Sequence, residues 1–162
     1  MRRYFLLFLV ILAASCLPDK AESQKAQIAF NREKIQIISQ NQRRLPVELM
    51  VEIADTNQKR MHGLMYRTEL ADDAGMLFLF PSSRRISMWM ANTVLSLDML
   101  FIDENGEIKE IIENTVPFSH DEIRSQKSVV SVLEIKAGLS RHYDLRPGDV
   151  VAHSFFKLEN SK

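Results

Sequence analysis

The sequence predicts a compact, strand-rich α+β domain with a curved or barrel-like sheet and one or two short helices. Apolar and polar residues alternate along several short runs, which is the period of strands with one buried face. Turn-forming pairs separate these runs, and Asn105-Gly106 predicts a tight hairpin between the strands on either side of it. Pro147-Gly148 predicts another turn. The chain has 162 residues, and the part after its N-terminal signal is long enough for one domain around a single core.

The first predicted strand, Val47–Ala54, alternates apolar and polar side chains for most of its length. Asp55 or Thr56 then provides the cap of a helix predicted at 57–65. The apolar run 75–80 ends at a proline and predicts a buried strand. Further strands are predicted at 86–93, 97–103, 106–113, 129–135 and 150–158, and a second short helix at 137–143.

Residues 1–15 have the layout of a secretory signal, in which Arg2 and Arg3 precede an apolar run and small residues. The run is too short to span a bilayer comfortably. The residues before Cys16 resemble a bacterial lipoprotein signal, in which the cysteine is lipidated and becomes the first mature residue. Ordinary cleavage after Ser23 is the alternative. The sequence therefore predicts an exported protein, in the periplasm or on the outer surface, anchored to the membrane by a lipidated Cys16.

Cys16 is the only cysteine, so no intramolecular disulfide can form. Residues 16–30 are predicted to form a polar tether, and residues 31–160 a single domain. The chain carries 21 basic and 21 acidic residues, which gives a formal net charge of zero. Because it has no basic stripe with interleaved aromatic residues, no nucleic-acid partner is predicted. Membrane contact is expected only through the signal or the lipid anchor.

Methionines crowd the middle of the chain, where six of the eight are Met61, Met65, Met76, Met88, Met90 and Met99. Thioethers fill irregular cores, but they also bind monovalent copper. A copper site would use the two pairs Met61/Met65 and Met88/Met90. Strand alternation turns Trp89 away from the second pair, and helical phasing turns His62 away from the first. Core packing is therefore favoured, and no metal or other cofactor is predicted.

Several linked motifs are spaced along the chain as in one known family. They are Gly63-Leu64-Met65-Tyr66-Arg67, Gly75-Met76-Leu77-Phe78, Trp89-Met90-Ala91-Asn92-Thr93, Leu97-Asp98, Val132-Leu133-Glu134, Ala137-Gly138 and Gly148-Asp149. On these motifs the chain resembles the domain of unknown function 192 family over roughly residues 45–155. The resemblance implies a small barrel-like α+β domain. It implies no particular reaction, because the family has no established activity.

Four polar residues stand out within the apolar motifs: Arg60, Arg67, Asn92 and Asp98. Burial of such groups is costly unless they are paired. Strand alternation would place Leu97, Met99 and Phe101 on one face and Asp98, Leu100 and Ile102 on the other, so Asp98 is expected among apolar neighbours. One interpretation is a structural ion pair of Asp98 with Arg60 or Arg67. The other is a polar pocket in which the arginines recognise an anionic or carbonyl-bearing ligand and Asn92 adds a hydrogen bond.

These four residues form the predicted ligand site of a binding module whose partner is a small molecule or an envelope protein. An enzyme that uses the same polar residues is the alternative, and soft-metal binding is the third hypothesis. The chain has neither a Gly-x-Ser-x-Gly elbow nor a His-Glu-x-x-His zinc site. Its four histidines are scattered without ligand spacing. No catalytic residue is therefore predicted.

Overall fold

The structure is a computed structural model that describes residues 28–157. Within them the chain forms nine strands and two short helices. In chain order these are β1 (Asn31–Ile38), β2 (Val47–Ala54), α1 (Asn57–His62), β3 (Ala74–Arg84), β4 (Ser87–Met88), β5 (Leu97–Ile102), β6 (Ile108–Ile112), β7 (Ile123–Arg124), β8 (Val129–Lys136), α2 (Leu139–His142) and β9 (Val150–Ala152).

Seven strands form one sheet in the order β6-β5-β8-β3-β2-β1-β9, and β4 pairs with β7 in a separate small sheet. Neighbours in the large sheet are antiparallel except β2 and β3, which are parallel and connected through α1. Its two edges meet where Glu107 bridges Val150 and the Ile108 N–H donates to the Asp149 carbonyl at 2.8 Å. The sheet is therefore nearly closed into a barrel, which confirms the predicted fold class.

Alternation along the strands divides the apolar residues between the two faces of the sheet. On β5, Leu100 and Ile102 belong to the inner core, whereas Leu97, Met99 and Phe101 belong to the outer one. The inner core takes residues from all the strands of the large sheet and fills the barrel. The outer core is covered by residues that follow α1 and by the β4 segment. The phasing predicted for β5 is confirmed.

Helix α1 ends earlier than predicted, at His62 instead of Met65. Thr56 caps its N-terminus by accepting a hydrogen bond from the Lys59 N–H. Gly63 then takes a φ of 51°, in the left-handed region that favours glycine, and its N–H donates to the Lys59 carbonyl. Because Met65 lies in the loop after the helix, helical phasing does not decide which way it points.

Strand β1 has no counterpart among the predicted elements. Most of its side chains are exposed, and only Ile35 and Ile37 are buried. Its pairing with β2 and β9 therefore supplies backbone hydrogen bonds that its side-chain pattern does not reveal.

Three predicted strands differ from the structure by more than two residues at one end. β3 runs past Pro81 to Arg84, because its pairing with β8 shifts register beyond Leu79 and the missing N–H of the proline is not required there. The predicted strand 86–93 is extended only at Ser87–Met88, and a turn follows at residues 91–92. The last strand ends at Ala152.

The predicted signal, Cys16, the alternative cleavage site at Ser23 and most of the predicted tether lie outside the described residues, as do residues 158–162. Among the helices of residues 28–157, none is long and apolar enough to span a membrane.

Candidate functional site

A cavity of about 450 Å³ lies against the outer face of the sheet, where α1, the loop after it and the β4 segment approach β3 and β8. Its size falls within the ~300–1,000 Å³ that is usual for small-molecule sites. Its apolar walls are formed by Met61, Leu64, Met65, Phe78, Phe80, Met88 and Trp89. Its charged lining is formed by Arg60, Arg84, Arg85 and Glu134. The cavity thus combines apolar walls with a small number of charged groups.

Glu134 is the acidic residue at the floor of this cavity. It lies on β8 between Leu133 and Ile135 of the inner core, so its side chain points to the outer face. Its neighbours across the sheet are Met76 on β3 and Met99 on β5, both fully buried. Only 4% of Glu134 is exposed, and its side chain lines the cavity.

No hydrogen bond or ion pair from residues 28–157 reaches the Glu134 carboxyl group, and burial alone raises its pKa to about 8. At pH 7, Glu134 is then protonated in roughly ten protein molecules for each one in which it is ionised. A protonated carboxyl group has one O–H donor and an acceptor oxygen. The floor of the cavity therefore presents a neutral hydrogen-bonding group without a partner.

Gly75 on β3 lies against the backbone of Glu134 on β8. A Cβ atom at Gly75 would lie 2.7 Å from the Glu134 carbonyl oxygen and 3.2 Å from the Ile135 side chain. β3 and β8 therefore approach one another more closely at this point than an alanine would allow.

Two guanidinium groups lie near Phe80, which lines the same cavity. The Cζ atoms of Arg60 and Arg84 are each 5.2 Å from the centre of its ring. At this distance a cation is attracted electrostatically to the face of an aromatic ring. Arg60 also donates through Nη1 to the carbonyl oxygens of Asp55 and Leu79, at 2.8 and 2.6 Å. Burial first, and then the like charge of Arg84, lower the pKa of Arg60.

Arg67 lies elsewhere, in a two-pronged ion pair with Glu52 on β2. Its Nη1 is 3.0 Å from Glu52 Oε1, and Arg32 adds a second contact to the same carboxylate at 3.2 Å. The hydrogen bond from Arg67 is the main reason why the pKa of Glu52 is lowered. Arg67 also lies over the ring of Phe30 at 5.8 Å. These contacts anchor the loop after α1 to the sheet.

Asp98 is fully buried and accepts hydrogen bonds from three backbone N–H groups. They belong to Asn114 at 2.9 Å and to Gly138 and Ser140 at 3.0 Å each. Asp98 thus ties β5 to the turn after β6 and to the start of α2. The predicted ion pair with Arg60 or Arg67 is wrong, because both arginines have the other partners given above.

Asn92 has a φ of 56°, which asparagine tolerates better than most residues. Its carbonyl accepts from the Tyr66 N–H at 2.9 Å, and its side-chain nitrogen lies 3.9 Å from the Met65 sulfur. Asn92 therefore joins the loop after α1 to the loop after β4. Of the four predicted ligand residues, only Arg60 lines the cavity; Arg67, Asn92 and Asp98 do not.

The methionines divide between the cavity and the core. Met61, Met65 and Met88 line the cavity, together with His62 and Trp89. Met90 is buried in the outer core. Among residues 28–157, no three His, Cys, Asp or Glu side chains are grouped so that they could hold a metal ion. Core packing accounts for Met76, Met90 and Met99, whereas Met61 is 66% exposed.

Glu134 is the functional candidate that the sequence reasoning missed. The signal was present, because Glu134 is the one acidic residue within the otherwise apolar part of β8. An acidic side chain within an apolar strand is costly to bury unless a hydrogen-bond or ion-pair partner compensates it. Strand alternation could have placed it on the outer face, but not next to a cavity.

Solved structures that are similar to this chain include the following two. One, from Sinorhizobium meliloti 1021, is provisionally described as a transcription regulator; it is 40% identical, with a TM-score of 0.75, and the match covers 78% of this chain and 96% of that one. The other, a protein of unknown function from Novosphingobium aromaticivorans DSM 12444, is 30% identical with a TM-score of 0.71, and the match covers 75% of this chain and 85% of that one. A comparison with curated proteins found no match.

The profile of the DUF192 family, described as an uncharacterized ACR, matches residues 36–153. These residues include every strand of the barrel except the first part of β1. The chain therefore belongs to the DUF192 family, the domain of unknown function 192 that its motifs resemble.

Proposed function

We propose that this protein binds a small, largely apolar molecule in the cavity on the outer face of its sheet, with a hydrogen-bond acceptor of the ligand held by Glu134. The observation that carries the proposal is the Glu134 carboxyl group, which is buried, lines the cavity and has no partner among the described residues. Buried polar groups ordinarily have one. A ligand that accepts a hydrogen bond would provide it.

The protonation state of Glu134 selects the ligand chemistry. With its pKa raised to about 8, the group is mainly an O–H donor at neutral pH. A ketone, ester or amide carbonyl complements this donor, and the apolar walls complement a hydrocarbon body. A purely hydrocarbon ligand would leave the carboxyl group without a partner, so it should bind more weakly.

The methionines provide a direct test with 2-octanone as the probe. In protein labelled with ¹³C at the methionine methyl groups, binding should shift the resonances of Met61, Met65 and Met88, which line the cavity. Met50 is exposed on β2, away from the cavity, and its resonance should stay in place. Titration of Trp89 fluorescence measures the affinity, because Trp89 is the only tryptophan and also lines the cavity.

Two substitutions test the role of Glu134. Glu134→Gln keeps a donor and an acceptor and should bind 2-octanone within about threefold of the wild type, whereas Glu134→Leu should weaken binding by about tenfold. Glu104→Gln, at an exposed carboxylate near Lys157, is the matched control. Shifts spread over Met50 and the cavity methionines alike, or equal affinity of the Gln and Leu variants, would refute the proposal.

An enzyme is the second candidate, because a protonated carboxyl group in an apolar cavity is the arrangement of a general acid. In this version water would attack the ester carbonyl and the carbon–oxygen bond to the alcohol would break. Glu134 would donate its proton to the leaving alkoxide oxygen and regain one from the attacking water, so that an ester and water give an acid and an alcohol. Glu134→Gln separates the two functions, since glutamine can donate a hydrogen bond but cannot transfer a proton. Hydrolysis of hexyl acetate by the wild type, together with its loss in Glu134→Gln, would favour the enzyme.

Soft-metal binding is the third candidate, supported by the three thioethers of Met61, Met65 and Met88 in one cavity. Monovalent copper added to the wild type under reducing conditions should then quench Trp89 fluorescence. Equal quenching in Met61→Leu, Met65→Leu and Met88→Leu would exclude a site built from these sulfurs.

The proposal includes export and attachment to the membrane through a lipid on Cys16, with the protein in the periplasm or on the outer surface. A small molecule or an envelope protein is then the partner. The N-terminal signal supports export, and the neutral overall charge gives no support for nucleic acid as a partner. Cys16→Ser should move the protein out of the membrane fraction. If Cys16→Ser stays in the membrane fraction, lipidation of Cys16 is refuted. A wild-type protein found outside the membrane fraction would instead favour cleavage after Ser23.

A further inference from the structure

We infer that the ligand of this cavity is an amphipathic anion, whose charged group binds Arg60 and Arg84 beside Phe80 while its apolar body occupies the cavity. The inference rests on the proposed function, because it names the class of molecule that the cavity would take. The observation that supports it does not involve Glu134. It is the excess of positive charge at one end of the cavity.

Positive charge exceeds negative charge around the cavity. Arg60, Arg84 and Arg85 all line it, and none of them forms an ion pair within residues 28–157. Asp55 attracts Arg60 electrostatically, but it forms its ion pair with Lys59 at 2.9 Å. The Glu122 carboxylate accepts a hydrogen bond from the Ser87 hydroxyl and forms no ion pair with any of these three described arginines. An anion would compensate a charge that the described part of the protein leaves uncompensated.

The two arginines also lie near one another, since both contact the ring of Phe80. Since each Cζ is 5.2 Å from the centre of the Phe80 ring, the guanidinium groups lie within about 10 Å of each other. Their mutual repulsion contributes to the lowered pKa of Arg60, after burial. Like charges in this position are unfavourable without a counterion and favourable around a bound anion.

Arg60 is held in place while part of its guanidinium stays available. Its Nη1 group uses its donors on the carbonyl oxygens of Asp55 and Leu79, and Nη2 donates to Asn57. Of the five N–H donors of a guanidinium, the Nε–H and one Nη2–H have no acceptor within residues 28–157. A carboxylate, sulfate or phosphate oxygen pair suits two such donors. Arg84 makes no side-chain hydrogen bond within the same residues and has all of its donors free.

Three probes of one chain length test this inference: octanoate, 1-octanol and octylammonium, each titrated at pH 7 with Trp89 fluorescence and methionine methyl shifts as the readouts. The wild type should bind octanoate roughly tenfold more tightly than 1-octanol, and octylammonium more weakly than octanoate. Arg60→Gln and Arg84→Gln should each lower the affinity for octanoate more than the affinity for 1-octanol, so that the ratio of the two affinities falls toward one. Arg84→Lys, which keeps the positive charge, should retain part of the preference for octanoate over 1-octanol.

Arg146→Gln is the control, since Arg146 pairs with Asp144 and does not line the cavity. Equal binding of octanoate and 1-octanol, a preference for octylammonium, or an octanoate preference that survives both arginine substitutions would overturn the anion inference while leaving the proposed function in place. Failure of all three probes and of 2-octanone to shift the cavity methionines would overturn both.

Discussion

Replacing Glu134 with glutamine should remove a loss of stability that the wild-type protein undergoes as the pH rises. Burial raises the pKa of Glu134 to about 8 from an ordinary value of 4.5. Between these two values the folded protein keeps the proton on Glu134, whereas the unfolded chain has released it. The stability that the protonated group contributes is therefore complete below pH 4.5 and is lost as the pH rises through about 8.

The size of the effect follows from the slope of this linkage. One bound proton changes the free energy of unfolding by about 1.4 kcal/mol per pH unit. From pH 5 to pH 7 the free energy of unfolding of Glu134→Gln should thus rise by about 3 kcal/mol relative to that of the wild type. Other carboxylates with shifted pKa values, such as Glu52 and Asp55, also make stability depend on pH. Their contributions cancel in this difference, because both proteins contain them.

Urea unfolding followed by circular dichroism at pH 5, 6 and 7 measures this difference. Glu104→Gln serves as the control, because Glu104 is an exposed carboxylate near Lys157, and its curve should run parallel to that of the wild type. A Glu134→Gln curve that is also parallel to the wild type would refute the reasoning. It would mean that Glu134 ionises normally in the folded protein, and hence that water or a cation reaches the floor of the cavity.

Two further substitutions test the parts of the structure that hold the site. Asp98→Asn should lower the free energy of unfolding by about 1–3 kcal/mol, because the amide NH₂ would face backbone N–H donors, and urea unfolding measures the loss. An unchanged midpoint would contradict the three hydrogen bonds to Asp98. Gly75→Ala should cost about 1–3 kcal/mol, because its Cβ would meet the Glu134 carbonyl at 2.7 Å. It should also shift the Met76 methyl resonance, and a spectrum identical to the wild type would show that the strands are not in close contact.

Strand alternation predicted the fold well wherever a strand has one buried face and one polar or separately covered face. β2, β5 and β8 lie within a residue of their predicted bounds, and the phase of β5 correctly separated Leu100 from Met99. β1 escaped prediction because most of its side chains are exposed, so its place in the sheet depends on backbone pairing with β2 and β9. That information is tertiary and does not show in a local pattern.

The site was predicted less completely, because the cost of burying a polar residue can be estimated from the sequence but its partner cannot. Arg67 and Asp98 are embedded in apolar motifs and both have full sets of partners, Glu52 for the first and three backbone N–H groups for the second. Glu134 looks much like Asp98 in the sequence, since both are acidic residues inside an apolar strand. Asp98 lies beside the turns that supply its donors, whereas Glu134 lies between Met76 and Met99, which supply none.

The contrast between these two buried acids separates a structural role from a functional one. Removing Asp98 should harm folding, because three backbone groups would lose their acceptor. Replacing Glu134 by a neutral residue of similar shape should stabilise the protein relative to the wild type as the pH rises above 5, because burial disfavours the ionised carboxyl group in the folded state. A group that weakens the free protein and lines a cavity is accounted for most simply by a ligand that supplies its missing hydrogen bond. Stability and binding measured on the same Glu134→Gln and Glu134→Leu variants therefore test one argument from two sides.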